Sequence, residues 1–139
     1  GMLPLKDNSE DEKGVKWIID FISGVKQDID SLALKLGEKI CIRCSLAAGN
    51  YIYGKLAGLS STKQVTGEIM ISLNRMDQYL QEIVKNTPNL PCKSIVSCVD
   101  NQLYGKTKQC FINNGFSELT SQTIYRETII NSKVIYKEV

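Results

Sequence analysis

The chain has 139 residues, 42% of them hydrophobic and 23% charged, which suffices for one buried core and is short for two domains. Its 17 Lys and Arg against 15 Asp and Glu leave a formal charge of +2, too little to build a field for a phosphate backbone, so nucleic-acid binding is not expected. No stretch approaches the roughly 18 apolar residues of a membrane span, and the polar, acidic N-terminus lacks the basic start and apolar segment of a secretory signal. A cytoplasmic protein without membrane contact is expected.

The sequence contains no histidine. That removes the commonest general base, the Ser-His and Cys-His nucleophile pairs and most catalytic zinc sites. The five cysteines, Cys41, Cys44, Cys92, Cys98 and Cys110, are odd in number and have no framework spacing, so reduced thiols are expected and no metal.

Gly1-Met2 has the form of a tag remnant, and residues 1–8 are expected to be a flexible terminus ahead of a single domain, 9–139. Ser9-Glu10-Asp11-Glu12 has the spacing of a capping box. Val15, Ile18, Ile22, Val25, Ile29, Leu32 and Leu36 then recur at spacings of three and four, widened by Ile19 and Ala33, and predict an amphipathic helix that Gly37 stops. Ser23-Gly24 is where it is expected to break, glycine costing about 1 kcal/mol relative to alanine inside a helix. Such a face would lie on its own sheet or pair with another chain as a homodimer or protein partner.

From Ile40 to Leu46 the period changes to two, with Ile40, Ile42, Cys44 and Leu46 on one face and Cys41, Arg43 and Ser45 on the other. Cys41 and Cys44 therefore point to opposite sides and cannot chelate one ion. Tyr51 to Leu59 is predicted as a second strand, 58–67 as a loop, and Glu68 to Leu73 as a third strand with Ile69, Ile71 and Leu73 alternating, completing a meander. Asn74 would cap a helix carrying Met76, Tyr79, Leu80, Ile83 and Val84, which ends before Pro88.

Cys92 to Val99 is too continuously apolar for a strand with one wet face and is predicted to be central. A helix from about Gln102 to Asn114 would bury Leu103, Thr107, Cys110 and Phe111 and end at Gly115. Phe116 to Leu119 starts a further strand, and Thr123–Ile130 with Lys133–Val139 reads as a hairpin through Asn131-Ser132. The fold class is therefore α/β or α+β, a single domain with a mixed, mainly antiparallel sheet flanked by helices.

Ser94-Ile95-Val96-Ser97-Cys98-Val99-Asp100-Asn101, then a helix, then Phe111-Ile112-Asn113-Asn114-Gly115-Phe116 and a hairpin, resembles the last third of the GNAT superfamily of acyl-CoA-dependent N-acetyltransferases. The order of elements along most of the chain is similar too. The resemblance implies acetyl-CoA as cofactor and an amine as acceptor. It also implies that Glu68 at the start of the third strand deprotonates that amine, directly or through water, with Ile71, Leu73 and Arg75 beside the acyl-CoA. The chain departs from the family pattern at two points. Asn74-Arg75-Met76-Asp77-Gln78-Tyr79 holds no glycine for a pyrophosphate turn, and Phe111 stands where many members carry a proton-donating tyrosine, with Tyr104 and Cys110 nearby. Two functions follow as expectations: a divergent N-acyltransferase or, alternatively, a catalytically inactive domain of similar fold that acts through protein contacts.

Overall fold

The protein is described from a computed structural model at residues 10–38, 40–49, 52–55, 63–87, 90, 94–119 and 131–138. Helix α1 spans Asp11–Leu36, followed by strand β1 (Ile42–Leu46), an antiparallel ribbon of β2 (Ile52–Lys55) and β3 (Lys63–Thr66), and helix α2 (Glu68–Asn86). Strand β4 (Ser94–Asp100), helix α3 (Asn101–Asn113), and strands β5 (Ser117–Glu118) and β6 (Ser132–Glu138) complete the order. The architecture is mixed α+β: a four-stranded sheet in the order β1-β4-β6-β5, with β4 parallel to β1 and antiparallel to β6, and β5 antiparallel to β6.

Six consecutive residues of β4, Ser94 to Val99, are buried, as a central strand requires. Its side chains alternate between two cores. Ile95 and Val99 join Ile135, Leu46, Val15, Ile19, Leu103, Phe111 and Phe116 beneath α1 and α3. Val96 and Cys98 join Val134, Met76, Tyr79, Leu80 and Ile83 beneath α2. The strand faces of β1 fall as expected, Cys44 and Leu46 in the first core and Cys41 against the second.

Helix α1 runs unbroken through Ser23-Gly24 for 26 residues. A Cβ added at Gly24 would meet nothing within 4 Å, so the glycine weakens the helix without bending it. Glu10 occupies the N-cap position with no side-chain cap bond, and Ser9 of the expected capping box lies outside the described residues. Gly37 closes the helix as expected, at φ 71°, its amide donating to the carbonyls of Ala33 and Leu34. The buried face differs from the expected stripe. It carries Val15, Ile19, Lys26 and Ala33, whereas Leu32 and Leu36 are 55% and 63% exposed. Lys26 is fully buried, and its ammonium donates to Asp30 and, at 3.0 Å, to the carbonyl of Ile40, tying the middle of α1 to the approach to β1.

The expected third strand, Glu68 to Leu73, is instead the first turn and a half of α2. Gly67, at φ 144°, separates β3 from the helix. Ile69, Met70 and Leu73 are half-buried and continue into Met76, Leu80 and Ile83 at spacings of three and four, so the helical period extends through the segment. Ile71, 56% exposed, is the extra apolar residue that made it read as alternating. This turn packs beside the end of β1: a Cβ at Gly49 would make an ordinary van der Waals contact, 3.4 Å, with Ile69 Cδ1. The expected loop 58–67 contains β3, and the meander is not formed. β1 leaves its sequence neighbours and pairs with β4, while β2 and β3 pair with each other. The predicted Thr123–Ile130 strand, Tyr51 and Cys92 lie outside the described residues.

Among the described residues, no helix is long and apolar enough to cross a membrane. Replacing Gly24 by alanine removes backbone freedom from the unfolded chain without a new contact in the fold. In dilute protein Gly24→Ala is expected to raise the unfolding free energy by about 0.5–1 kcal/mol in a urea titration. A loss of stability would mean that the Gly24 backbone is closely packed.

Candidate functional site

The four residues nominated from the sequence lie along one helix, with Glu68, Ile71 and Arg75 at i, i+3 and i+7 on its exposed side. Glu68 and Arg75 are exposed on α2, Ile71 is exposed one turn after Glu68, and Leu73 is half-buried toward the sheet. β1 and β4, between which α2 is strung in sequence, are paired over five residues from Ile42↔Ile95 to Leu46↔Val99, with no splay between them. Met76 and Tyr79 fill the interface beneath α2, whereas Phe111 is buried on the opposite side of the sheet.

Two of the buried thiols have structural partners. Cys44 and Ser97, opposite one another in register, share a hydrogen bond of 2.8 Å, and burial pushes the Cys44 thiol up to about 11, with the Ser97 bond working the other way. The buried Cys98 thiol donates to the Ser132 hydroxyl at 3.1 Å. Among the described residues, no group of three His, Cys, Asp or Glu side chains could hold a metal ion. A thiol held protonated by burial is a poor nucleophile.

Tyr104, the alternative proton donor considered for Phe111, sits on α3 with its hydroxyl donating to Glu118 Oε1 of β5 at 2.9 Å. Desolvation first, then this bond and the carboxylate's charge, push the phenol up to about 12. The same bond, helped by the charges of Lys133 and Lys108, holds Glu118 below the usual carboxylate range against partial desolvation. Lys108 Nζ stands 3.6 Å from Glu118. The group clips the first half of α3 to the short edge strand, and its proton is held more tightly than a free phenol's.

The outer surface of α1 is different in kind. Trp17 and Phe21, one turn apart, are 55% and 58% exposed and stack with their ring planes within 1° of parallel, centroids 5.6 Å apart. Leu32, Leu34 and Leu36 continue the exposure toward the C-terminal end. Beside Trp17 an open groove of about 870 Å³ runs between α1 and α3. Glu12, Lys13, Lys16 and Asp20 line it from α1, and Gln109, Cys110, Asn113 and Asn114 from α3. Its charges cancel, and Lys16 Nζ donates to Asp20 at 2.6 Å and to Asn114 Oδ1 at 3.3 Å. Cys110, at the groove floor, is pushed up by burial, with Lys16 opposing and Glu12 and Asp20 adding to the shift. The sequence reading counted the aliphatic stripe of α1 and passed over Trp17 and Phe21. The available signal was two large aromatic residues spaced i, i+4 just outside that stripe.

No protein-family model, curated protein or solved structure matches the chain.

Replacing Tyr104 by phenylalanine removes the bond to Glu118 and is expected to cost about 1 kcal/mol of stability at neutral pH. The signs follow from the two shifts. The raised Tyr104 means the folded state holds that proton more tightly, so its contribution is lost as pH rises from about 10 through 12. The lowered Glu118 contributes stability above the unfolded carboxylate pKa, which is lost as pH falls through the lower folded value. In thermal melts across pH, the Tyr104→Phe variant should therefore approach the parent at both extremes; a constant difference would contradict the assignment.

Proposed function

We propose that the chain is a non-catalytic protein-interaction domain of α+β fold that acts through the outer face of α1. The observation that carries this reading is the stacked, half-exposed Trp17–Phe21 pair at the edge of a groove, with Leu32 exposed further along the same side of the helix. Single exposed apolar residues are ordinary, but contiguous apolar patches with a polar rim mark docking surfaces, and tryptophan and phenylalanine are enriched there. Three helices and both sheet faces are already supplied with cores, so folding does not require these side chains to be large and apolar.

Acyl transfer from acetyl-CoA to an amine is the weaker reading. Support for it is confined to the order of elements and the resemblance of 92–139, and fold-level likeness does not carry function. Against it stand the solvent-exposed positions of Glu68, Ile71 and Arg75 on α2, the helical rather than extended Glu68–Leu73, and the buried Phe111.

Two outcomes are expected. The double variant Trp17→Lys, Phe21→Lys should keep its circular dichroism and, in dilute protein, its melting temperature, since surface substitutions usually fall within about ±0.5 kcal/mol. As the only copy of the chain in its own cells, it should nevertheless fail to support the protein's role. Full complementation, or a folding defect, would overturn the reading. Titration with acetyl-CoA or CoA should leave the melting temperature of the parent unchanged. A saturating ligand at 100 times its Kd would add about 2.7 kcal/mol, so a saturable rise of several degrees would restore the acyltransferase reading.

A further inference from the structure

We infer that the occupant of the α1 face is a second copy of this chain, seated with the two α1 helices antiparallel about a two-fold axis between Phe21 and Gly24. The inference rests on the docking reading above and names its partner.

The face is self-complementary. At 100° per residue, Trp17, Phe21, Gly24, Asp28, Leu32 and Lys35 fall within about 80° of the helix surface, a stripe about 27 Å long. In a two-fold pair each residue meets the one equidistant from the axis on the other copy. Phe21 then lies over Gly24 of the second copy, where the backbone carries no side chain and a Cβ would have open space around it. A glycine at a helix crossing is what lets a ring and a backbone approach closely. By the same symmetry Trp17 lies across from Asp28, an indole N–H donor opposite a carboxylate.

The charges agree with that orientation. Glu10, at the cap of α1, comes opposite Lys35 in the last turn, and it does so at both ends of the pair. The helix dipoles oppose one another as well. In a parallel pair the same groups would meet their own kind. A partner of another sequence is not needed to supply the opposite charge or the notch, since one helix carries both.

The area fits a weak dimer. Trp17, Phe21 and Leu32 each leave about half of the side chain in water, on the order of 100 Å² apiece and about 600 Å² for the pair of copies. With the polar rim added, the buried surface stays below about 1,200 Å², the size of weak, transient contacts. Association on the order of 1–100 μM is expected.

Sedimentation equilibrium of the full chain from about 1 to 500 μM tests this. The mass is expected to rise from 15.5 kDa toward twice that value. Gly24→Gln, which fills the notch with a good helix former where nothing else stands within 4 Å, and Phe21→Lys should each weaken association at least tenfold without lowering the melting temperature of dilute protein. Lys35→Glu should weaken it too, and Glu10→Lys added to Lys35→Glu should restore it, which only an antiparallel pairing does. A monomer at every concentration, a dimer indifferent to Gly24→Gln and Phe21→Lys, or no restoration by the charge exchange would overturn the inference. If the chain stays monomeric while the Trp17, Phe21 lysine variant still fails in cells, the docking face stands and its partner is another protein. If that variant complements fully, the docking reading itself falls.

Discussion

Strand β4 is the constraint on which the rest of the structure depends. Six successive buried residues leave it no wet face, so apolar cover has to come from both sides of the sheet. Ile95 and Val99 take theirs from α1 and α3, and Val96 and Cys98 from α2. The strand's two edges are filled by β1 in parallel and β6 in antiparallel. Once these five partners are in place, each helix has one face committed to the sheet. The buried Lys26, bonded to Asp30 and to the Ile40 carbonyl, fixes the rotation of α1 about its axis. That rotation turns Val15, Ile19 and Ala33 inward and leaves Trp17, Phe21, Leu32 and Leu36 outside.

Elements whose signals are local were legible in the sequence. The unbroken apolar run of β4, the Leu103-Thr107-Phe111 face of α3 and the Gly37 stop of α1 all stand where periodicity and cap chemistry put them. What was not legible is non-local or rests on one misleading residue. Ile71 gave Glu68–Leu73 a false period of two, although Ile69, Leu73 and Met76 carry the helical one. The parallel pairing of β1 with β4 spans some fifty residues of sequence, and nothing in Ile42–Leu46 distinguishes it from pairing with the next strand. Leu32 and Leu36 fit the apolar stripe of α1 as well as Ala33 does; the burial of Lys26, a packing outcome, decides between them. The candidate site was missed for the same reason, since Trp17 and Phe21 stand out only when the core face is known.

The polar chemistry of the described residues is spent on holding elements together. Tyr104 and Glu118 join α3 to β5, Cys44 and Ser97 join β1 to β4, Cys98 and Ser132 join β4 to β6, and Asp100 caps α3 by accepting from the amides of Gln102 and Leu103. Burial or desolvation raises the thiols of Cys44 and Cys110 and the phenol of Tyr104. Cys44, Cys110 and Tyr104 are thereby held protonated near neutral pH. The chain's unspent feature is the apolar face of α1, which is why the functional reading rests there.

Trp17 is the single tryptophan of the chain, so its fluorescence reports on that face alone. The most direct measurement is its emission spectrum and acrylamide quenching across a dilution series of the unlabelled protein. The account predicts a solvent-exposed indole in dilute solution, and emission that moves to shorter wavelength and resists quenching over the same concentrations at which the mass doubles. A mass that doubles while Trp17 stays exposed and fully quenchable would place the interface elsewhere and contradict the central claim.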